Sequence, residues 1–428
     1  MKLQINNFSK IGKAEIIVDG ITVIAGENNT GKSTIGKILF CLFNSISSIE
    51  DKIAIQRINE IQTSCRRLLQ NYPMNLTREL ALKKTHSFTR KVASNFKIQM
   101  INSPKIDNDD IRRIIIRQMK SQDFEKNELN DLVDPLVEKI SSILVLSEEH
   151  ITLELLTRYF NNIFHYQLNS LIESDLKAEL QLIIKNKKIN VTFSDSICTD
   201  FSSEIAIMHH AIYIDNPFVI DSLSYFNDLN TMDDYLRNLL TSTTKENVME
   251  GIIESVLVKE KLNEVYQAIQ HIVDGQITEK KDEYFLERED FLKPIYFNNL
   301  STGIKSFIII KMLLEKGSIR EKDVLVLDEP EIHLHPQWQI AYAELIVLLQ
   351  KHFDLSIVVA THSPYFLDAI NLYSIKHGIE KKVNYYLSSM ESNRVKMEQV
   401  TDNIDLIYKK LASPIEILDS LRYELNNN

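Results

Sequence analysis

A glycine-containing loop between an apolar segment and an amphipathic segment constrains this chain more than any other feature. Residues Ile21 to Ala25 are apolar and partly β-branched, which predicts a buried strand. Apolar residues recur after the loop at helical spacing, which predicts an amphipathic helix: Ile35, Ile38, Leu39, Leu42 and Phe43. The residues in between fit the pattern G-x-x-x-x-G-K-[ST]: Gly26, Glu27, Asn28, Asn29, Thr30, Gly31, Lys32, Ser33 and Thr34. This order of strand, loop and helix predicts a phosphate-binding loop.

The chemistry of the loop indicates that it binds a nucleoside triphosphate together with a divalent ion. Gly26 and Gly31 allow the backbone to wrap around phosphate oxygens with its N–H groups pointing inward. A helix that begins near Gly31 presents its positive end to the same anion. We expect Lys32 to reach the β- and γ-phosphates and the Ser33 hydroxyl to bind Mg²⁺. The loop therefore predicts a site for ATP and Mg²⁺.

A second segment, far along the chain, supplies carboxylates. Val324 to Leu327 is an apolar run too short for a helix, which predicts a buried parallel strand. Asp328 then lies at the carboxyl end of that strand, where open α/β sheets bind ligands, and is expected to hold Mg²⁺, usually through water. Glu329 is the candidate general base that takes a proton from the attacking water. The two segments together predict an α/β P-loop NTPase core.

The segment from Leu300 to Ser306, ahead of an apolar helix predicted from Phe307 to Leu314, resembles the signature motif of ABC-class ATPases. In that class a serine hydroxyl, a glycine backbone and a helix N-terminus contact the γ-phosphate held by a partner subunit. The resemblance assigns this role to Ser301, Thr302 and Gly303. Thr302 replaces the usual second glycine, Ile304 replaces a glutamine, and no glutamine-loop residue is evident. These departures weigh against fast hydrolysis but not against nucleotide binding.

The remaining motifs narrow the resemblance to one family. Asp328 to Pro336 and Thr361 to Pro364 are similar to soluble ABC-type ATPases related to the OLD (overcoming lysogenisation defect) proteins, AAA-type ATPases of which many are linked to anti-phage defence. Residues 1–45, 205–225 and 270–428 carry the similarity. His362 resembles the switch histidine that senses the γ-phosphate in this class. The family implies an ABC-type ATPase head, with a mixed sheet and flanking helices, that forms a homodimer or higher homo-oligomer through an ATP sandwich.

His333 and His335 are the other histidines in these motifs. They lie two residues apart, a spacing that fits a loop better than a helix, and Glu331 is the one carboxylate that accompanies them. Zinc binding is therefore disfavoured. We expect both histidines to shape a loop that faces the dimer partner, with Pro336 as the first residue of the next helix.

The long interval between the glycine loop and the signature segment predicts an insertion. Residues 49–188 are rich in Ile, Leu, Lys, Glu and Gln and poor in glycine, which predicts a large, mostly helical insertion or lid. Residues 1–48 and 189–428 then form the head. Within the head the patterns predict strands at 189–194 and 211–215, a helix over 245–272, and an edge strand at 383–387.

Charge and cysteine content limit which partners and which cellular compartment are expected for this protein. The chain has a net charge of −10, yet the segment 78–120 is strongly basic: Arg78, Lys83, Lys84, Arg90, Lys91, Lys97, Lys105, Arg112, Arg113, Arg117 and Lys120. Such a face suits nucleic acid or an acidic partner, although many basic helix faces are merely solvated. Three scattered cysteines, an N-terminus unlike a signal peptide and the lack of a long apolar run predict a cytoplasmic protein with no membrane contact.

Three functions remain open. The first is an ATPase whose ATP-bound dimer is a switch, serving as the sensor or regulator of an anti-phage system with a separate effector such as a nuclease. The family context favours this function, and the chain after His362, which has no room for the Toprim nuclease domain of full OLD proteins, predicts that the effector is a separate protein. The second is a DNA-repair or chromosome-maintenance ATPase of the SMC/RecF type, which the lack of sustained heptads in 49–188 disfavours. The third is a nucleotide-binding scaffold with negligible hydrolysis.

Overall fold

The chain divides into two compact units in the computed structural model, which describes residues 1–73, 77–102, 106–173, 175–223, 231–241, 263–281 and 283–426. One unit comprises Met1–Ser47 and Leu156–Asn428, and the other comprises Ser48–Leu155. The first unit carries the motifs identified in the sequence, and we refer to it as the head. The second is the helical insertion.

The insertion ends earlier than the sequence pattern indicated. Residues 156–188 belong to the head, so the predicted boundary at 188 is wrong. The reason is strand β4 (Ala178–Ile184), whose alternate residues Ala178, Leu180 and Leu182 are buried. This strand pairs antiparallel with β1 (Lys2–Phe8) and thereby joins the sheet of the head. The alternation was present in the sequence but was obscured by the helix-rich composition around it.

Within the described residues, eleven strands form one mixed sheet in the order β6-β5-β4-β1-β2-β14-β13-β3-β12-β11-β7, and three form a small antiparallel sheet in the order β10-β9-β8. The strands after β1 are β2 (Ile11–Ile17), β3 (Ile21–Gly26), β4, β5 (Lys187–Ser194), β6 (Ile197–Ser203), β7 (Ala211–Ile214), β8 (Gln276–Lys280), β9 (Glu283–Glu287), β10 (Ile295–Tyr296), β11 (Val324–Asp328), β12 (Ser356–Thr361), β13 (Val383–Glu391) and β14 (Arg394–Gln399). The predicted strands at 189–194 and 211–215 correspond to β5 and β7.

Five neighbouring strands of the large sheet, β13, β3, β12, β11 and β7, run parallel to one another. Every residue of β3 and of β11 is buried, as expected for parallel strands covered on both faces. Parallel strands bring their carboxyl ends to the same edge of a sheet. Gly26, Asp328 and Thr361 therefore lie at one edge, and the sequence analysis had predicted that the segments ending in Gly26 and Asp328 meet.

Strand β13 is not an edge strand, so that prediction is wrong. It pairs parallel with β3 on one side, from Val383 opposite Ile21 to Ser388 opposite Gly26. On its other side it pairs antiparallel with β14, and the two form a hairpin. A short apolar run indicates that a strand is buried but not how many neighbours it has, which is why its late position in the chain misled the prediction.

Besides a helical segment at 263–270, the described part of the head contains seven α-helices, of which α6 begins in the insertion: α1 (Lys32–Ile46), α6 (Glu148–Phe164), α7 (Met232–Thr241), α8 (Thr302–Glu315), α9 (Pro336–Phe353), α10 (Pro364–Lys376) and α11 (Asp405–Asn426). Phe307, Tyr342 and Phe366 on α8, α9 and α10 contact one another edge to face or tilted in the core of the head. Of the helix predicted over 245–272, residues 263–270 are helical and 245–262 lie outside the described residues.

The insertion consists of helices α2 (Ile49–Gln70), α3 (Arg78–Asn102), α4 (Asn108–Lys120), α5 (Lys126–Val145) and the start of α6. Its own apolar core includes Ile61, Phe88, Ile115, Leu136 and Ile140. Four residues of the basic segment 78–120 form ion pairs: Lys83, Lys84, Arg112 and Arg113. Four others on α3 are exposed: Arg78, Arg90, Lys91 and Lys97. No helix in the described part of the chain combines the length and apolarity that crossing a bilayer requires.

Helix α1 approaches the sheet closely at Gly36. A Cβ atom at this position would lie 2.4 Å from Cγ1 of Val326 and 3.1 Å from Cε2 of Tyr213. Both neighbours are buried, and the χ1 of a β-branched valine in a strand has little freedom to yield. The small residue therefore fixes the distance between the helix that follows the glycine loop and the strand that ends in Asp328.

We predict that Gly36→Ala destabilises the head by about 1–3 kcal/mol, because overpacking outweighs the better helix propensity of alanine. Thermal unfolding followed by calorimetry checks this through a lower Tm. The matched control is Gly36→Ala combined with Val326→Ala, which removes the clashing methyl groups. The double variant should lose less stability than the sum of the two single changes. Strict additivity would show that the contact between α1 and β11 is not tight.

Candidate active site

The glycine loop between β3 and α1 depends on backbone conformations that few residues adopt. Gly31 has a φ of 77° and Asn29 a φ of 64°, both in the left-handed region. At Gly26, with a φ of 157°, a Cβ would lie 2.2 Å from the carbonyl oxygen of Ser388. The Thr30 hydroxyl donates to the carbonyl of Glu27 at 2.7 Å, which closes the loop on itself. The loop conformation is thus set by local hydrogen bonding and by glycine at two positions.

The Lys32 ammonium group lies buried inside this loop. Its Nζ donates to the carbonyl oxygens of Gly26 at 3.1 Å and Glu27 at 2.9 Å, and it lies 3.8 Å from Oε1 of Glu329. The residue is 4% exposed. A positive charge is therefore held between the loop and the carboxylate that follows β11, which is the arrangement predicted for the two segments.

Asp328 receives hydrogen bonds on both carboxylate oxygens. Ser33 Oγ donates to Oδ1 at 3.0 Å, and the Tyr213 hydroxyl donates to Oδ2 at 2.5 Å. Burial, together with the negative charge of Asp328, raises the pKa of Tyr213 well above its ordinary value, so the phenol stays protonated and remains a donor. Ser33 and Asp328 were both predicted as Mg²⁺ ligands, and the structure brings them together. Tyr213 was not predicted, because its contact depends on the pairing of β7 with β11.

Glu329 occupies an uncommon backbone conformation for its residue type. Its φ is 50°, and its backbone N–H donates to the carbonyl of Ala360 on β12 at 2.9 Å. Its Oε1 lies 3.8 Å from Lys32 Nζ and 3.6 Å from Nδ1 of His362. The structure therefore brings Glu329 and His362, the two predicted catalytic residues, to one place beside Lys32.

Two carboxylates near this site were not singled out from the sequence. Glu331 is 3% exposed and accepts hydrogen bonds from the turn that carries His362. Asp215 directly follows β7 and lines a small cavity with Asp328, Glu329 and His333. The rule that ligands bind at the carboxyl ends of parallel strands would have indicated Asp215, since β7 had been predicted as a core strand. No sequence signal marks Glu331 as buried.

The signature residues lie on a separate surface of the head. A cavity of about 460 Å³ is lined by Ser301, Thr302, Gly303, His333, His335 and Trp338, and no residue of the glycine loop lines it. A Cβ at Gly303 would lie 2.8 Å from the Trp338 ring, so this position requires a glycine. Ser301 is exposed immediately before α8, and its hydroxyl does not cap the helix. The structure thus leaves this serine apart from the loop of its own chain.

The loop before α9 contains both motif histidines. The Nδ1 of His335 accepts a weak hydrogen bond from the backbone N–H of Gln337 at 3.4 Å, and Pro336 is the first residue of the helix, as predicted. The His333 ring contacts Phe218 edge to face, with the ring centroids 5.7 Å apart. Both residues therefore shape the cavity that contains the signature segment. Their expected contact with a dimer partner stays a prediction.

Comparison with known proteins gives local similarities to three curated relatives. The chain is 35% identical over 22% of its length to Septu protein PtuA from Bacillus thuringiensis, 34% identical over 15% to the Retron Ec83 probable ATPase from Escherichia coli, and 32% identical over 17% to the OLD nuclease from Thermus scotoductus. These matches cover 27%, 13% and 14% of the respective relatives, so the chain spans well under two thirds of each. A family model described as AAA ATPase domain matches residues 1–367, which is most of the chain. The sequence motifs, the sheet edge on which they converge and this match agree: the chain belongs to the AAA ATPase domain family.

Proposed function

We propose that this protein hydrolyses ATP at the edge of the sheet where the glycine loop meets Asp328 and Glu329. The observation that carries the proposal is the contact between Ser33 and Asp328 at 3.0 Å, beside the 3.8 Å approach of Lys32 to Glu329. Two segments that are distant in the chain thereby present a hydroxyl, an ammonium group and two carboxylates to one space. That set of groups suits a triphosphate with a divalent ion.

The oxygen donors of the site fit Mg²⁺. The Ser33 hydroxyl and the Asp328 carboxylate are hard ligands, and Mg²⁺ is commonly held by one or two such groups together with phosphates and water. When bound, the ion would neutralise charge on the phosphate oxygens. Tyr213 holds the Asp328 carboxylate from its other side, so this ligand is oriented before the ion arrives.

The remaining residues have roles that follow from their positions. Lys32, which now donates to two loop carbonyls, would exchange these for β- and γ-phosphate oxygens. Glu329 would accept the proton of the attacking water as general base. His362, whose Nδ1 lies 3.6 Å from Glu329, would contact the γ-phosphate and report its presence. Gly26 and Gly31 allow the backbone N–H groups of the loop to approach the phosphates.

The exposed signature surface supports a site that is completed by a second copy of the chain. No residue of the glycine loop lines the cavity that contains Ser301, Thr302 and Gly303, and the Ser301 hydroxyl does not cap α8. In the proposed ATP-bound homodimer, each copy presents these residues to the γ-phosphate of the other. Hydrolysis would then separate the two copies, so that the bound nucleotide would determine whether the protein is a dimer or a monomer.

The resemblance to OLD-type proteins and to Septu protein PtuA supports a role in anti-phage defence, with this chain as the sensor or regulator of a separate effector such as a nuclease. The exposed cations on α3 leave nucleic acid as a possible ligand of the insertion, which is the feature that favours an SMC/RecF-type role. The altered signature, with Thr302 in place of glycine, is the feature that favours a scaffold with negligible hydrolysis.

We predict that Lys32→Ala weakens ATP binding roughly 10- to 100-fold, the loss of one charge-assisted contact to phosphate. Titration of a labelled ATP analogue with Mg²⁺ measures this. Lys13→Ala is the matched control, because Lys13 is an exposed lysine on neighbouring strand β2 and should bind as the wild type does. Saturable binding of equal strength in both variants would rule out the loop as the phosphate site.

Glu329→Gln should retain ATP binding while turnover falls about 100-fold or more, because the amide cannot accept the proton of water. Phosphate release at saturating ATP measures turnover, and the same labelled analogue measures binding. An equal, near-zero rate in wild type and variant would instead favour the scaffold function. Equal and substantial rates would show that another group is the base.

Ser301→Arg should abolish the ATP-dependent dimer, since a bulky cation would occupy the surface proposed to receive the partner's nucleotide. Mass photometry of the protein with and without ATP, in a Glu329→Gln background that preserves nucleotide, measures the assembly. The control is Ser202→Arg on β6, at the far end of the sheet order from β7. If Ser301→Arg showed the same ATP-dependent increase in mass as the protein without that change, completion of the site by a second copy would be contradicted.

A further inference from the structure

The carboxylate of Glu331 is a buried charge at the start of the loop that leaves β11. The residue is 3% exposed, whereas Glu329 two positions earlier has a side chain that is 26% exposed. Burying an ionised carboxylate is costly unless hydrogen bonds and opposite charge compensate for the lost water. The contacts that supply this compensation identify what the residue does.

Three polar hydrogens of one turn converge on a single oxygen of Glu331. Its Oε1 accepts from the Thr361 hydroxyl at 2.5 Å, from the backbone N–H of His362 at 2.9 Å and from the backbone N–H of Ser363 at 3.2 Å. Successive backbone N–H groups that point at one anion form a nest, and the anion fixes the conformation of that turn. Glu331 therefore determines where the backbone of His362 lies at the end of β12.

The imidazole of His362 lies between Glu331 and Glu329. Its Nδ1 is 3.7 Å from Oε1 of Glu331 and 3.6 Å from Oε1 of Glu329. These distances are too long for hydrogen bonds, and they leave the imidazole flanked by two carboxylates. The second oxygen of Glu331, Oε2, is buried and accepts no hydrogen bond from the described residues. Glu331 thus combines one oxygen that holds the turn with a second that is buried and unpaired among the described residues.

Capping of the following helix does not account for Glu331. Helix α10 already has its own cap, because the Ser363 hydroxyl accepts from the N–H of Phe366 at 3.3 Å. The same hydroxyl donates to Oε1 of Gln339 at 2.8 Å, which ties the turn to α9. The helix start is therefore secured by neutral groups, and the buried negative charge is left to act on the imidazole.

We propose that Glu331 is a positioning residue for hydrolysis, holding the backbone of His362 and attracting its imidazole so that the ring stays beside Glu329 and the expected place of the γ-phosphate. This proposal rests on the proposed function of the site. It assigns to the third carboxylate of the Asp328-Glu329-Pro330-Glu331 segment a role through His362 and not through the metal or the attacking water. Its negative charge is the property that matters, since a neutral acceptor would hold the turn equally well.

Glu331→Gln separates these two properties, because the amide keeps an acceptor of the same shape and loses the charge. We expect kcat to fall about tenfold while KM for ATP stays near the wild-type value, a change confined to the chemical step. Glu331→Gln combined with His362→Ala should be no slower than His362→Ala alone, because both changes act on one group. A wild-type kcat for Glu331→Gln, or additive losses in the double variant, would overturn the proposal.

The second measurement does not depend on turnover. In protein labelled with ¹⁵N-histidine, the His362 ring signals, assigned by their loss in His362→Ala, should shift in Glu331→Gln. Gln339→Ala is the matched control, since Gln339 is a neutral residue that contacts the same turn through Ser363 and the backbone carbonyl of Glu331, and it should leave those signals and kcat nearly unchanged. Unmoved His362 signals in Glu331→Gln, or an equal shift in Gln339→Ala, would overturn the proposal. If the wild type has no turnover, the proposed function fails, and the ring signals alone decide the role of Glu331.

Discussion

The hydrogen bond between Ser33 and Asp328 is the interaction on which the rest of the site depends. It joins residues 295 positions apart, the first at the start of α1 and the second at the end of β11. Two features of the head make it possible: the parallel pairing of β3, β12 and β11, which brings their carboxyl ends to one edge, and the absence of a side chain at Gly36, which lets α1 lie against β11. Lys32, Glu329 and His362 take their places around that contact, so the chemistry of the site follows from the packing of one helix on one strand.

Local patterns predicted those parts of the molecule whose structure is fixed by neighbouring residues in the chain. The glycine loop, α1, β11 and the start of α9 at Pro336 were predicted in this way, because apolar periodicity and turn residues act over a few positions. The predicted site residues Lys32, Ser33, Asp328, Glu329 and His362 lie together for the same reason: each is attached to the end of such an element. The general rule for parallel sheets then supplied the one long-range inference that was needed.

The features that the sequence did not reveal all depend on contacts between distant segments. Tyr213 reaches Asp328 because β7 pairs with β11, and no periodicity states which strands are neighbours. Glu331 is buried because the turn after β12 folds over it, whereas in the sequence it is one of several charged residues in a loop. Strand β13 is internal and β4 belongs to the sheet for similar reasons, since strand order is decided by the whole fold. Composition alone also placed the border of the insertion too late.

The left-handed backbone of Glu329 has a consequence for how such a site can evolve or be engineered. With a φ of 50°, glutamate at this position has a conformational cost of order 1–3 kcal/mol. Glycine would have no such cost, and that of asparagine would be smaller. Selection for thermal stability alone would therefore favour glycine or asparagine at this position, and the carboxylate would be lost. In its proposed role as general base, Glu329 keeps reactivity at a local cost in stability, so an effort to stabilise the protein should leave position 329 unchanged.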